Sequence, residues 1–207
     1  MIALLLVPAV GAQTVPGNAS PALPEVADQW SFSLSLYGYL VPHERSYASP
    51  TFSADRKHVH FGARYNYEDK ETGSFWAGYN FSKGKNVEFA FTPMIGGILG
   101  NTAGIAPGYM GSVAWKRIEL STEGEYVFDL RQKAGNFFYT WSELSYSPME
   151  WWRAGLVAQR TKAYHTDLDI QRGVLVGFSA KRIDFTTYIF NAGWTDPTVV
   201  LSLSFAF

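Results

Sequence analysis

The stretch Val199-Val200-Leu201-Ser202-Leu203-Ser204-Phe205-Ala206-Phe207 constrains this chain more than any other. Large apolar side chains fall at 199, 201, 203, 205 and 207, with small or polar ones at most positions between. A period of two means a β-strand whose two faces meet different surroundings. The same period recurs upstream in twelve runs bounded by turn residues: 30–41, 46–54, 57–67, 73–82, 86–98, 108–115, 117–128, 136–147, 151–162, 167–180, 182–193 and 197–207. The second run, SYASPTFSA, alternates least. After the first ten residues no apolar run reaches the ~18 residues that a membrane-spanning helix needs. The expected fold class is all-β, an antiparallel up-and-down barrel of 12 strands, with 10 as the rival count.

The terminal pattern resembles the C-terminal strand of bacterial outer-membrane β-barrel proteins. That resemblance implies a transmembrane barrel inserted by the barrel-assembly machinery, with Leu201, Leu203, Phe205 and Phe207 as the assembly signal. It also favours the even count, because both termini of such barrels lie in the periplasm. The opposite end agrees. Ile2 to Val10 has the length of a signal-peptide apolar core, and Val10-Gly11-Ala12 supplies small residues for cleavage before Gln13. Only Met1 precedes that core, so the usual basic segment is missing. The expected organisation is a signal peptide over 1–12, a flexible leader over 13–28 carrying Pro16, Pro21 and Pro24, and the barrel over 29–207. The chain has no cysteine, which excludes lipidation at the cleavage site and all thiolate chemistry.

The faces can be assigned from charge. Ile118, Leu120, Tyr126 and Phe128 alternate with Glu119, Ser121, Glu123 and Glu125. Exposing those glutamates to hydrocarbon would be costly, so the apolar parity faces lipid and the polar parity faces the lumen. In the third run Val59, Phe61, Ala63, Tyr65 and Tyr67 face out and His58, His60 and Arg64 face in. The expected lumen set is His58, His60, Arg64, Glu88, Glu119, Glu123, Glu125, Glu143 and Arg153, joined by Asp184. Aromatic residues near strand ends (Trp30, Tyr65, Tyr67, Tyr109, Trp115, Tyr146, Trp151, Trp152 and Trp194) read as interfacial girdles. Arg172 alone places a charge on the outward face, near the outer rim. The turns assigned to the periplasmic side, among them Lys116-Arg117 and Lys181-Arg182, are mostly basic and suit anionic phospholipid headgroups. The outer connections lean acidic, in keeping with lipopolysaccharide and its divalent cations.

A catalytic role is the alternative to a passive one. An outer-membrane lipid hydrolase or deacylase would need a rim centre, and the candidates are His43 with Glu44 and Ser46, or His165 with Asp167 and Asp169. Neither has a spacing tied to an enzyme family, so no catalytic residue is expected. His58 and His60 share a face and would hold a metal only with a third ligand from another strand. No metal and no cofactor are expected. Gly96-Gly97-Ile98-Leu99-Gly100 reads as a bend or bulge ending a strand. A net charge of −1 and the absence of a basic patch argue against nucleic acid. The expected partners are the bilayer, lipopolysaccharide and small polar solutes or cations, with the barrel a monomer. The reading is a passive diffusion channel or structural barrel with a slightly acidic lumen. It resembles the small diffusion channels for acidic oligosaccharides or nucleosides, but the acidic-sugar channels line their pores with many arginines and this chain does not.

Overall fold

The computed structural model describes residues 28–43, 45–131, 135–161, 169–193 and 197–207. The expected signal peptide, the leader up to its last residue, Glu44, His165, Asp167 and Trp194 lie outside them. The described strands are β1 (Ser31–Leu40), β2 (Tyr47–Arg56), β3 (Val59–Tyr65), β4 (Thr72–Tyr79), β5 (Phe81–Gly84), β6 (Val87–Gly100) and β7 (Gly104–Trp115). They continue as β8 (Ile118–Asp129), β9 (Phe137–Met149), β10 (Trp152–Thr161), β11 (Asp169–Ala180), β12 (Ile183–Phe190) and β13 (Thr198–Ala206). Apart from β4 and β5, which both pair with β6, chain neighbours pair antiparallel, and β1 pairs with β13, so the sheet closes on itself. Closure removes the unpaired edges that an open sheet would leave in lipid.

β4 and β5 are one stave. Both pair with β6 in a single register, Gly78 opposite Met94 and Phe81 opposite Phe91, with the interruption at Asn80. The barrel therefore has twelve staves, and the weak second run is a true strand. Its Pro50 sits opposite Leu36 and beyond Thr51, where the pairing with β3 has ended, so the missing amide falls on the side with no ladder to interrupt. The sixth run, expected from residue 108, begins earlier, at Gly104. Gly104 and Pro107 look like turn residues in the sequence but pair within the sheet, opposite Ile98 and Ile95.

The expected bend at Gly96-Gly97 is absent: β6 runs through both glycines with unbroken register to β4 and β7. The reason for Gly96 is space. A Cβ there would lie 2.6 Å from the Trp76 indole, and one at Gly108 would lie 2.9 Å from it. The two glycines make the slot in which that ring lies across the interior.

The outer wall is apolar. Leu36, Phe75, Ile95, Leu120, Val174 and Leu201 are all exposed on it, the inverse of a water-soluble barrel. Trp30, Tyr65, Trp115, Tyr146 and Trp151 are exposed near its two ends, as girdles require. Tyr67 does not join them. β3 ends at Tyr65, and Asn66 adopts φ 54°, so the alternation breaks and Tyr67 turns into the barrel. Mid-wall, Leu156 lies between Leu144 and Val174 and is 60% exposed. Leu156→Arg should cost roughly 2–4 kcal/mol, the depth-dependent penalty for a midplane cation. Urea unfolding in lipid vesicles would measure it, and an unchanged midpoint would mean this wall does not face lipid.

The staves are closed by short turns at one end and longer connections at the other. At the seam, Phe207 and Phe32 exchange backbone hydrogen bonds of 2.9 Å each way, and their rings stack at 5.6 Å.

Candidate functional site

Inward parity concentrates side chains in the interior, and their chemistry divides it into two zones. Toward the tight turns the wall is short and polar. Ser33 meets Ser53 at 2.8 Å and Ser35 meets Ser204 at 2.8 Å, so hydroxyls flank β1 on both sides. Toward the longer connections Ile98, Val127, Phe137, Leu175, Phe190 and Val200 are buried against one another. Four clusters of polar and charged groups line the rest of the interior, the first two of them at the tight-turn end.

The first runs across β2, β3, the β4–β5 junction and β6. Asp55 Oδ1 lies 2.7 Å from His60 Nδ1 and accepts a bond of 2.9 Å from Asn80 Nδ2, while the Thr92 hydroxyl donates to Asn80 Oδ1 at 2.6 Å. His60 is thus where its parity placed it. His58 is not: β3 starts only at Val59, so His58 belongs to the turn, where it is exposed and stacks on the outward Tyr79 at 5.0 Å.

The second cluster holds Arg153, which is only 2% exposed. Its guanidinium donates to both oxygens of Asp184, at 2.5 and 3.0 Å, and to Thr186 Oγ1 at 2.5 Å. Ser179 adds a bond of 2.7 Å to the same carboxylate. The guanidinium lies flat over Gly177, where a Cβ would come within 2.7 Å of Cζ.

In the third, Arg64 donates to Glu125 at 3.1 Å, approaches Glu123 at 3.8 Å, and sits over the rings of Tyr67 at 4.3 Å and Trp76 at 4.8 Å. Tyr67 donates its hydroxyl to Glu123. Trp76 Nε1 donates to Ser74 Oγ at 2.9 Å, and Ser74 donates to Glu68 at 2.5 Å. The fourth is built on Glu143, which accepts from Trp141 Nε1 at 2.8 Å and from the Tyr188 hydroxyl at 2.9 Å.

Of the remaining expected lumen residues, Glu119 and Glu123 are half-buried, and Glu88 is exposed at the tight-turn rim. Sequence reasoning missed Asp55, Asn80, Tyr67, Trp76, Trp141 and Tyr188. The signal was available for the two tryptophans, which share strand parity with Ser74 and with Glu143 respectively. A pocket beside Arg64, about 450 Å3 including space open to solvent, is lined by Ser33, Ser35, Thr51, Ser53, His60 and Glu123 among others. Among the described residues no group of three or more His, Asp or Glu has metal-binding geometry. His43 sits in an outer turn at φ 60°; of its expected companions Ser46 is described and Glu44 is not, and His165 and Asp167 of the alternative centre also lie outside the described residues.

These groups can pass small hydrated solutes along hydroxyls and carboxylates, or seal the barrel by ion pairing. Both lumen arginines are already engaged by carboxylates, so little positive charge is left to meet an anion.

No family model matches the chain, and no curated protein does. Among solved structures it is similar to the KdgM porin, with a TM-score of 0.60 at 11% identity over 84% of this chain and 99% of that one. It is likewise similar to the KdgM porin in complex with disordered oligogalacturonate, with a TM-score of 0.61 at 10% identity and the same coverage. What the chain shares with these porins is the fold, a closed antiparallel barrel of twelve staves of the kind that spans the bacterial outer membrane.

Proposed function

We propose that the protein is a narrow, passive outer-membrane channel that favours cations and uncharged polar solutes over anions. The observation that carries this reading is the pairing of the interior charges. Arg64 and Arg153 are bound to Glu125 and Asp184, while Glu119, Glu123 and Glu143 add further carboxylates to the same wall. Clustered carboxylates raise the local concentration of cations and repel anions, most strongly at low salt. One of the similar porins was solved in complex with disordered oligogalacturonate; among the described residues here the interior arginines Arg64 and Arg153 are both held by carboxylates, which argues against acidic oligosaccharides.

Planar-bilayer recording under a salt gradient tests it. The expected result is a small unit conductance with a cation-favouring reversal potential that decays as ionic strength rises. Glu119→Gln with Glu123→Gln should move the reversal potential toward anions without altering the fold, because lumen substitutions tune selectivity. An anion-selective wild type, unmoved by both changes, would overturn the reading. The buried apolar layer favours a second reading, a sealed structural barrel, for which wild-type bilayers would stay silent. Divalent-dependent release of fatty acid from phospholipid or lipopolysaccharide would instead support the rim hydrolase.

The C-terminal strand is proposed as the segment that the barrel-assembly machinery reads, through Leu201, Leu203, Phe205 and Phe207. Phe207→Ala keeps the backbone pairing with Phe32 and removes only the ring. It should sharply lower membrane insertion in cells while the purified chain still refolds in detergent. Normal surface levels of this variant would sink the assignment.

A further inference from the structure

The rim that carries the tight turns is a collar of cations. Lys57, Lys85, Lys116, Arg117, Lys181 and Arg182 are all exposed there. Lys57, Lys116 and Lys181 adopt φ of 50°, 56° and 56°, a left-handed backbone that suits glycine or asparagine better. Three separate turns thus hold a lysine against local conformational preference. Two of the acids at this level are turned away from the surface, Asp55 buried with His60 and Asn80, and Asp184 with Arg153, which leaves Glu88 and Glu150 exposed among the six cations. Asp28 is exposed but already paired, and the hydrogen bond and charge of Lys57 hold its carboxyl below the usual range. Immediately along the wall lies the aromatic girdle. The Lys116 ammonium sits 4.6 Å over the Trp115 ring, which holds that cation at the girdle, the depth of the headgroups.

We infer that this collar binds anionic phospholipid headgroups of the phosphatidylglycerol type, giving the barrel a lipid preference at one rim. The inference depends on the lipid-facing wall and not on conduction, so a sealed barrel would show it equally. Basic side chains clustered beside a bilayer attract anionic lipid, and the attraction is screened by salt.

Native mass spectrometry of the full chain in detergent, offered phosphatidylglycerol and phosphatidylcholine with matched acyl chains, tests it. Wild type should retain the anionic lipid several-fold over the zwitterionic one, and the preference should fall as salt is raised. Lys116→Gln, Arg117→Gln, Lys181→Gln and Arg182→Gln together should abolish most of it. Lys181→Gln with Arg182→Gln, a milder change confined to one exposed turn, should lose part of it. Arg45→Gln with Lys70→Gln at the opposite end should leave it intact. Equal retention of both lipids by wild type would overturn the proposal. So would an equal loss in the opposite-end variant, since total charge and not the collar would then be responsible.

Discussion

Arg153→Ala should destabilise the barrel by about 3–5 kcal/mol, the usual cost of stranding one member of a buried ion pair. The guanidinium satisfies both oxygens of Asp184 and the Thr186 hydroxyl, and no other cation among the described groups bonds that carboxylate. Removing it leaves a mostly buried carboxylate held only by the hydroxyls of Ser179 and Thr186. Arg153→Ala combined with Asp184→Asn should recover a substantial part of the loss, because the amide carries no charge to strand. Urea unfolding of the refolded barrel in vesicles reads both effects. Additive losses in the double variant would show that the two groups act independently, contrary to the geometry. The site also tests packing: Gly177→Ala places a methyl against the guanidinium and should weaken the same pair.

The architecture was legible because its signal repeats. The alternation of Ile118 to Phe128 decides which face meets lipid, and the exposed apolar residues of the wall follow that parity. Boundaries failed where residue type contradicted context. Gly104 and Pro107 look like a turn, yet pairing across β6 and β7 overrides their preference, as neighbours in a sheet often do. Tyr67 failed for the opposite reason: the sequence shows no break after Tyr65, but Asn66 takes the left-handed backbone it tolerates and reverses the parity that follows.

The interior was only half legible. Charged residues announce an inward face against an apolar wall, so Arg64, Glu125, Glu143 and Arg153 could be placed. Aromatic residues do not, because both faces of β9 carry them: Phe137, Tyr139 and Trp141 point in, while Phe138 lies on the other parity beside Leu144. Parity counted from Glu143 separates the two sets, but hydrophobicity alone cannot. Partner choice lay further out of reach. That Arg64 engages Glu125 and Arg153 engages Asp184 depends on distances across the barrel between residues 61 and 31 positions apart.

In the proposed channel the buried interior layer sets how much passes, and Trp76 is a point of control within it. Its indole lies in the slot made by Gly96 and Gly108, stacks under the Arg64 guanidinium and is 2% exposed. It also borders the serine-lined pocket through Gly62, where a Cβ would meet the Trp76 Cβ at 3.3 Å. Trp76→Ala removes one of the two tryptophans buried in the interior and should join that pocket to the space beyond Arg64. The expected result is a several-fold rise in unit conductance with cation preference retained, since Glu123 and Glu125 still line the widened path. Truncating a buried Trp typically costs about 3–5 kcal/mol. Trp76→Phe should stay near the wild-type conductance, because a ring still fills the slot although the bond to Ser74 is lost. If both variants conduct like wild type, the constriction lies in the Trp141–Tyr188–Phe190 layer, where the rings meet edge to face at 5.0 and 5.2 Å. If Trp76→Ala conducts more but prefers anions, the widened path does not run beside these glutamates and the assignment of charge to the pore wall fails.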